Sequence, residues 1–284
     1  MIASLFIKTI HRIYNFYKKG KHMNSQHIEY LHSTATIPLQ EKFILHTHPD
    51  YHELIFLIQG DVTFCAEGNS YPLNPNDIVF ARNNELHQIL HNSPIPYERI
   101  VVKIRTDFFE NYHCNELGTL FMDRNLGQFN LIPHSIHSPY HITQLFQKID
   151  SYLQDKNDIG ALCVFIEILT LLNKLSRSSS PVLKNNQKVN EIINYIHAHL
   201  SEVVTLDTLA KCFYLNKQYL CKIFKLSTGY TVNQYISFKR YMLTEELIKQ
   251  GLSKTAAALS AGFNSYSAYY KLARIYKVQY YDSN

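Results

Sequence analysis

The hydrophobic period changes along this chain, and no other feature constrains the fold as strongly. Up to about Ile104, apolar residues occur in short alternating runs separated by turn signals, which is typical of a β-barrel or sandwich. Beyond about Tyr140 they recur at helical spacing, and a serine-rich linker begins at Ser176. A length of 284 residues suits two domains. The candidate strands are Phe43–His48, Leu54–Ile58, Val62–Ala66, Ile78–Ala81, His87–His91 and Arg99–Ile104.

Charge is divided unevenly between the segments. Residues 1–22 carry 5 basic residues and no acidic one, residues 23–183 carry 10 basic and 17 acidic, and residues 184–284 carry 13 basic and 6 acidic. The segment charges of +5, −7 and +7 sum to the net charge of +5. A basic C-terminal end indicates a polyanionic partner, although a solvated lysine-rich surface would give the same count.

The five cysteines are scattered and odd in number, which excludes a disulfide framework and a zinc ribbon and indicates a reducing cytoplasm. The longest apolar run, Ala161–Leu172, is interrupted by Glu167 and is too short to span a bilayer, so no membrane partner is expected. The basic residues 1–22 are an extension of uncertain status, because Met23 is an equally good start. An amphipathic helix on a membrane surface is the alternative interpretation of that extension.

The C-terminal segment begins with a pair of short helices joined by a turn. Thr205 and Asn216 are the expected N-caps, and Tyr214-Leu215 forms the turn. A basic polar face on the second helix is the helix-turn-helix layout, in which lysines neutralise phosphates and residues near the helix N-terminus reach base edges. A helical hairpin with a solvated basic face is the alternative. The candidate DNA contacts are Lys217, Gln218, Cys221, Lys222 and Lys225.

The same pattern recurs further along the chain. Ala256–Ala261 is expected to be helical, Gly262-Phe263 turns the chain, and Ser265 caps a second helix. A long helix from about Val232 to Ile248 separates the two pairs. The residues of the second pair that are free to face DNA are Tyr266, Ser267, Tyr270, Lys271 and Arg274.

This arrangement resembles the AraC/XylS family of bacterial transcription regulators over about residues 188–276. The matching elements are Leu209-Ala210, the run from Asn216 to Lys225, Gly229, Tyr235-Ile236 with Arg240, Leu247-Ile248, and Gly262-Phe263 with Ser267 and Tyr269. The resemblance implies two helix-turn-helix units on one rigid helix that read successive major-groove segments of promoter DNA. It also implies a homodimer, with RNA polymerase as a partner if the protein is an activator. The second unit departs from the family, since Ala257 and Ala273 replace larger residues and the closing glycine and proline are absent.

The N-terminal segment contains a histidine pattern at cupin spacing. His46, His48 and Glu53 fit the first cupin motif, and His87 lies where the second motif places its histidine. Three imidazoles and a carboxylate make a competent site for a divalent transition metal. The sensor barrels of AraC-type regulators often carry the pattern without metal, around a small-molecule pocket. An organic-ligand pocket, a metal site and structural polar residues all stay open, and His52 is expected to be a surface histidine on the opposite strand face.

The second cupin motif is otherwise poor, because Asn76, Arg82 and Asn84 replace its glycine, proline and glycine.

The sequence therefore predicts an α+β two-domain protein with a cupin-like β-barrel, a helical connector and an all-α double helix-turn-helix domain. The assigned segments are the extension 1–22, a sensor barrel 23–135, a helical connector and possible dimer surface 136–176, a linker 177–187 and the DNA-binding domain 188–284. We expect a sequence-specific regulator that binds double-stranded promoter DNA and an unknown small-molecule effector, with no cofactor and no enzymatic activity. The alternatives are a metal-dependent cupin enzyme fused to a helical domain and a degenerate regulator that binds a partner protein.

Overall fold

The computed structural model describes residues 21–24, 27–35, 46–176 and 187–281, which fall into two compact units. The expected extension up to residue 20, residues 43–45 of the first candidate strand and the linker over 177–186 lie outside this description. All the described strands belong to the N-terminal unit, and the described part of the C-terminal unit is helical.

Two antiparallel sheets form the N-terminal unit. The larger sheet has the strand order β1-β2-β8-β3-β6-β9 and the smaller one has the order β5-β4-β7. The strands are β1 (Lys21–Asn24), β2 (Ile28–Ala35), β3 (Tyr51–Gln59), β4 (Val62–Ala66), β5 (Asn69–Leu73), β6 (Ile78–Ala81), β7 (His87–His91), β8 (Tyr97–Arg105) and β9 (Leu131–Ile132).

The larger sheet is buried on both faces, because it separates two hydrophobic cores. Along β8, Tyr97 and Val101 face the smaller sheet, whereas Ile100 and Val102 face the opposite way. Side chains alternate between the faces of a strand, so strands buried on both sides read as nearly continuous apolar runs.

Helices cover the outer face of the larger sheet. They are α1 (Phe108–Asn111), α2 (Asn115–Met122), α3 (His134–His137), α4 (Ile142–Gln154) and α5 (Asp158–Ser176). By length and composition, α5 is the one helix among the described residues that could cross a membrane. Its apolar face instead packs into the outer core, through Ala161, Val164, Phe165, Ile168, Leu169, Leu172 and Leu175.

A buried ion pair fixes the chain segment that follows α2. Both terminal nitrogens of Arg124 contact the carboxylate of Glu85, at 2.8 and 2.5 Å, and neither side chain is more than 4% exposed. The backbone N–H groups of Gly127 and Arg82 donate to the same carboxylate. Burial alone would raise the pKa of Glu85, but Arg124 and these donors outweigh it and lower the pKa to about 2.

The C-terminal unit contains two helical pairs joined by one long helix. Its helices are α6 (Gln187–Ala198), α7 (Leu206–Cys212), α8 (Lys217–Thr228), α9 (Val232–Lys249), α10 (Lys254–Ser260) and α11 (Tyr266–Tyr281). The expected caps are confirmed: Thr205, Asn216 and Ser265 each accept a hydrogen bond from the backbone N–H three residues ahead.

The two pairs repeat each other closely. The backbone N–H of Leu215 donates to the carbonyl of Ala210, and that of Phe263 donates to Ala258 in the same way, so α7 and α10 end in the same capped turn. The turn places its residue in the left-handed region: Gly262 has φ +93°, and the equivalent Tyr214 has φ +53°. The first pair thus uses a tyrosine at a position that favours glycine.

The second pair docks on α9 even though Ala273 stands where the family has phenylalanine. The hydroxyl of Tyr269 donates to Glu245 Oε1 of α9 at 2.5 Å, and its ring stacks on that of Tyr241 at 6.1 Å. Both Ala257 and Ala273 are buried. Both departures from the family pattern therefore lie in the buried interior of the unit.

Candidate functional site

The four residues of the cupin pattern converge at one end of the space between the sheets. One ligand atom from each of His46, His48, Glu53 and His87 lies within 4.8 Å of the others. Glu53 Oε2 is the common point, at 2.7 Å from His87 Nε2, 3.2 Å from His48 Nε2 and 4.0 Å from His46 Nε2. A backbone bridge joins His46 and His87, whose N–H groups donate to each other's carbonyls. The cluster adjoins the apolar core between the sheets, where the ring of Phe64 lies 5.9 Å from that of His87.

Charge is concentrated on two of these residues. Burial opposes a charged Glu53, but the hydrogen bond with His87 and the close imidazole of His48 outweigh it and hold the pKa of Glu53 well below its usual range. Burial also opposes a charged His87, but Glu53 raises its pKa, and its Nδ1–H donates to the carbonyl of Glu85. The contact thus favours a carboxylate on Glu53 and an imidazolium on His87, while burial lowers the pKa of His48 and favours its neutral form.

The donor set fits both a transition metal and a polar organic ligand. His48 is 91% buried, since 9% of its surface is exposed, and its Nε2 has no aligned hydrogen-bond partner. The backbone contact of His87 Nδ1 resembles the outer contacts that orient metal-binding histidines. Neighbouring ligands of one metal ion lie about 3 Å apart or more, so the 2.7 Å contact between His87 and Glu53 would have to open.

Two residues near the cluster differ from expectation. His52 does point to the opposite face of β3, but it is 3% exposed rather than on the surface, because α1 and α2 cover that face. Its burial lowers its pKa to about 4. Lys103 was not among the predicted site residues, but it stands in register with Glu53 on β8 and adds to the lowering of the pKa of His48. The only sequence signal for Lys103 was the alternation of side chains along β8, which indicates the face of the strand on which it lies.

The candidate DNA contacts lie outside the buried stripes of α8 and α11. On α8, Lys217, Gln218, Lys222 and Lys225 are exposed and Cys221 is half-buried. On α11, Ser267, Tyr270, Lys271 and Arg274 are exposed and Tyr266 is half-buried. Leu220, Ile223 and Phe224 form the buried stripe of α8, as predicted.

One candidate contact has an intramolecular partner that the sequence analysis missed. Lys217 Nζ lies 2.5 Å from Asp207 Oδ1, across the turn between α7 and α8. Arg240, on α9, also serves the fold, since its guanidinium donates to the backbone carbonyls of Leu200 and Glu202.

Comparison with known proteins adds to this geometry. The cupin domain family matches residues 33–102, which include the whole histidine and glutamate cluster. The HTH-type transcriptional activator RhaS of Escherichia coli O139:H28 is 22% identical over 233 residues, which cover 80% of this chain and 82% of RhaS. RhaS of Escherichia coli O1:K1 has the same identity and coverage. An alignment of that length exceeds either compact unit and therefore spans both.

The chain is similar to AraC-family regulators over most of its length. This similarity supports a DNA-binding transcription regulator with a cupin-like domain, and the predicted two-domain architecture is confirmed. Its named relatives are transcription activators rather than enzymes. Among solved structures, ToxT of Vibrio cholerae is 16% identical, with a TM-score of 0.34, over 87% of this chain and 93% of ToxT. A Listeria innocua protein of unknown function is 27% identical, with a TM-score of 0.28, over 32% of this chain and 83% of that protein.

Proposed function

We propose that the protein is a sequence-specific regulator whose DNA binding responds to a small molecule held at His46, His48, Glu53 and His87. The convergence of these four side chains within 4.8 Å carries the proposal. The imidazole of His48 lies 3.2 Å from Glu53 without an aligned hydrogen bond, so it can turn a donor or acceptor to a polar ligand, and the apolar core beside it would hold the ligand's hydrocarbon part. The ligand would shift the population of a DNA-binding arrangement of the chain.

The promoter DNA would be read by α8 and α11. Lys222, Lys225, Lys271 and Arg274 would neutralise phosphates, and Gln218, Cys221, Tyr266, Ser267 and Tyr270 would face base edges.

We further propose a homodimer through the outer face of α5, on which Ile159 is 77% exposed and Cys163 is also exposed. Ile159→Glu would then dissociate the dimer in sedimentation experiments. The protein would act in the cytoplasm, where its cysteines stay reduced, and would contact RNA polymerase if it activates.

A genome-fragment binding selection at two salt concentrations tests the DNA-binding assignment. We expect affinity to fall steeply with salt, and Lys222→Ala to make the slope of log K against log salt shallower by about one. Lys249→Ala, an exposed lysine outside the candidate faces, is the matched control and should leave the slope unchanged. Binding that does not depend on salt would overturn the assignment.

Metal binding at the same cluster is the second candidate. The outer hydrogen bond on His87 and the three-imidazole, one-carboxylate donor set favour it. Such a site would bind a divalent ion through His46, His48, Glu53 and His87, and the ion would supply a Lewis acid.

Metal analysis of the purified protein separates the two candidates. Stoichiometric iron, manganese or zinc that is lost in His48→Ala but kept in His134→Ala would favour the metal site. His134 is a histidine of α3 outside the cluster, so it controls for a general loss of structure. A metal-free protein whose thermal stability rises with a small molecule in wild type but not in His48→Ala would favour the organic ligand.

A further inference from the structure

The ion pair between Asp207 and Lys217 lies at the start of the first recognition helix. Lys217 is the first residue of α8, and Asp207 is in the first turn of α7. Their charged atoms are 2.5 Å apart, and their side chains are 54% and 64% exposed. The pair is therefore formed in solvent, on the end of α8 from which a recognition helix contacts DNA.

The second helix-turn-helix pair lacks this ion pair. By the shared capping pattern, Thr255 holds the position of Asp207 and Tyr266 holds that of Lys217. The common fold therefore does not need the ion pair, because α10 and α11 form the same turn without it. What distinguishes the first pair is a carboxylate beside its leading lysine.

A lysine at the N-terminus of a helix is also placed against the helix dipole, whose positive end lies there. Asp207 offsets that repulsion, so the carboxylate holds Lys217 in a closed contact. The same carboxylate cancels the positive charge that Lys217 would otherwise present to a phosphate.

We infer that Asp207 is an affinity-tuning residue that neutralises Lys217 toward DNA. The inference rests on the proposed DNA-binding face of α8. In the free protein the pair contributes no net charge to that face. Binding therefore gains little from Lys217, and sequence reading by the first pair depends on Gln218 and Cys221 rather than on a leading lysine.

Substitutions of Asp207 and Lys217 change the net charge of the pair by known amounts, so the effect of that charge on DNA binding can be measured. The pair has a net charge of zero in the wild type, +1 in Asp207→Asn, −1 in Lys217→Ala and zero in the double variant. We would measure binding of the full chain to a random-sequence duplex over a range of salt concentrations. Asp207→Asn should bind about three- to tenfold more tightly at low salt, with a slope steeper by about 0.9, because one lysine becomes available to phosphate.

Lys217→Ala should bind more weakly than the wild type, because it leaves a carboxylate facing the phosphates. The double variant should return to the affinity and slope of the wild type. Glu191→Gln removes the acid of a comparable exposed pair, 3.4 Å from Lys188 on α6, and should change neither quantity. Asp207→Ser provides a second substitution that leaves the Thr205 cap of α7 in place and should behave as Asp207→Asn.

Three results would overturn the inference. Weaker binding by Asp207→Asn, or a double variant as weak as Lys217→Ala, would mean that Asp207 positions Lys217 for direct contact. The third is unchanged binding by Asp207→Asn. A wild-type chain that does not bind the duplex would instead contradict the proposed DNA-binding face. Salt-dependent wild-type binding with no change in Asp207→Asn would contradict the role of Asp207 alone.

Discussion

Tyr214 has a backbone conformation that its neighbours impose. It is 94% exposed, so its side chain gains little from packing, and yet its φ of +53° lies in the left-handed region. That region costs a residue with a Cβ roughly 1–2 kcal/mol. The capped end of α7 imposes the conformation, because the backbone of the following residue, Leu215, must reach the carbonyl of Ala210.

Tyr214→Gly should therefore raise the free energy of unfolding of the C-terminal unit by about 1 kcal/mol. Calorimetry of the full chain would measure the shift of that unit's transition. The opposite change at the equivalent position, Gly262→Ala, should destabilise, because its Cβ would lie 2.6 Å from the carbonyl oxygen of Leu200. A lower melting temperature for Tyr214→Gly would show that the tyrosine makes a stabilising contact.

Single residues also explain why the cupin motif looked weak in the sequence. Asn76 and Asn84 replace glycines of the motif, and both have positive φ, +69° and +62°. Asparagine tolerates the left-handed region better than most residues, so the backbone course survives the substitution. The spacing of His46, His48, Glu53 and His87 could therefore be predicted. The burial of His52 could not, because no local pattern shows which helices will cover a strand.

At the scale of elements, a half-buried imidazole connects the larger sheet to helix α4. His32 of β2 donates from Nδ1 to Asp150 Oδ2 of α4 at 2.6 Å and from Nε2 to Glu98 Oε1 of β8 at 2.8 Å. The hydroxyl of Tyr30 donates to the other oxygen of Asp150 at 3.0 Å. Both ring nitrogens face acceptors, so the contact requires an imidazolium. The hydrogen bond with Asp150 is the main reason that the pKa of His32 is raised, with Glu98 adding to it against burial.

This contact should stabilise the N-terminal unit more in mild acid than in mild base. A raised folded-state pKa gives stability that is complete below the unfolded value of about 6.5 and is lost as the pH rises through the folded value. His32→Asn should cost about 1.5–3 kcal/mol at pH 6 and less at pH 9. Calorimetry at both pH values would measure this cost in the unfolding transition of the N-terminal unit, which Tyr214→Gly does not shift. An equal cost at both would contradict a charged His32.

The sequence analysis located three strands to the residue, β4, β6 and β7, because their apolar runs are bounded by strong turn signals. It did not propose β2 or β5. β5 begins at Asn69, directly after the Glu67-Gly68 turn, and contains Pro72, which is tolerated because β5 is an edge strand. The starts of the C-terminal helices could be predicted to within about two residues, since their caps and hydrophobic stripes are local in sequence. Long-range partners such as Arg124 for Glu85 leave no local signature.

Considered as a whole, the chain keeps its acidic and basic charge in different segments, −7 over residues 23–183 and +7 over residues 184–284. The acidic segment has the same sign of charge as DNA, so it reduces the attraction between the basic segment and the phosphate backbone. A fragment of residues 184–284 should therefore associate with random-sequence DNA roughly tenfold faster than the full chain at low salt. Stopped-flow mixing would measure this, and the difference should vanish in high salt, where charges are screened. Equal rates at low salt would contradict the effect.

The two helix-turn-helix pairs share one turn but carry different side chains at their proposed DNA-facing positions. Lys217, Gln218 and Cys221 on α8 correspond to Tyr266, Ser267 and Tyr270 on α11. If both pairs read DNA as proposed, they would select two different half-sites in a fixed order. The operator of such a protein would not be palindromic. Reversing it end to end would therefore give a different site, whereas a palindrome is unchanged by reversal. Each bound subunit would therefore point toward one side of its promoter.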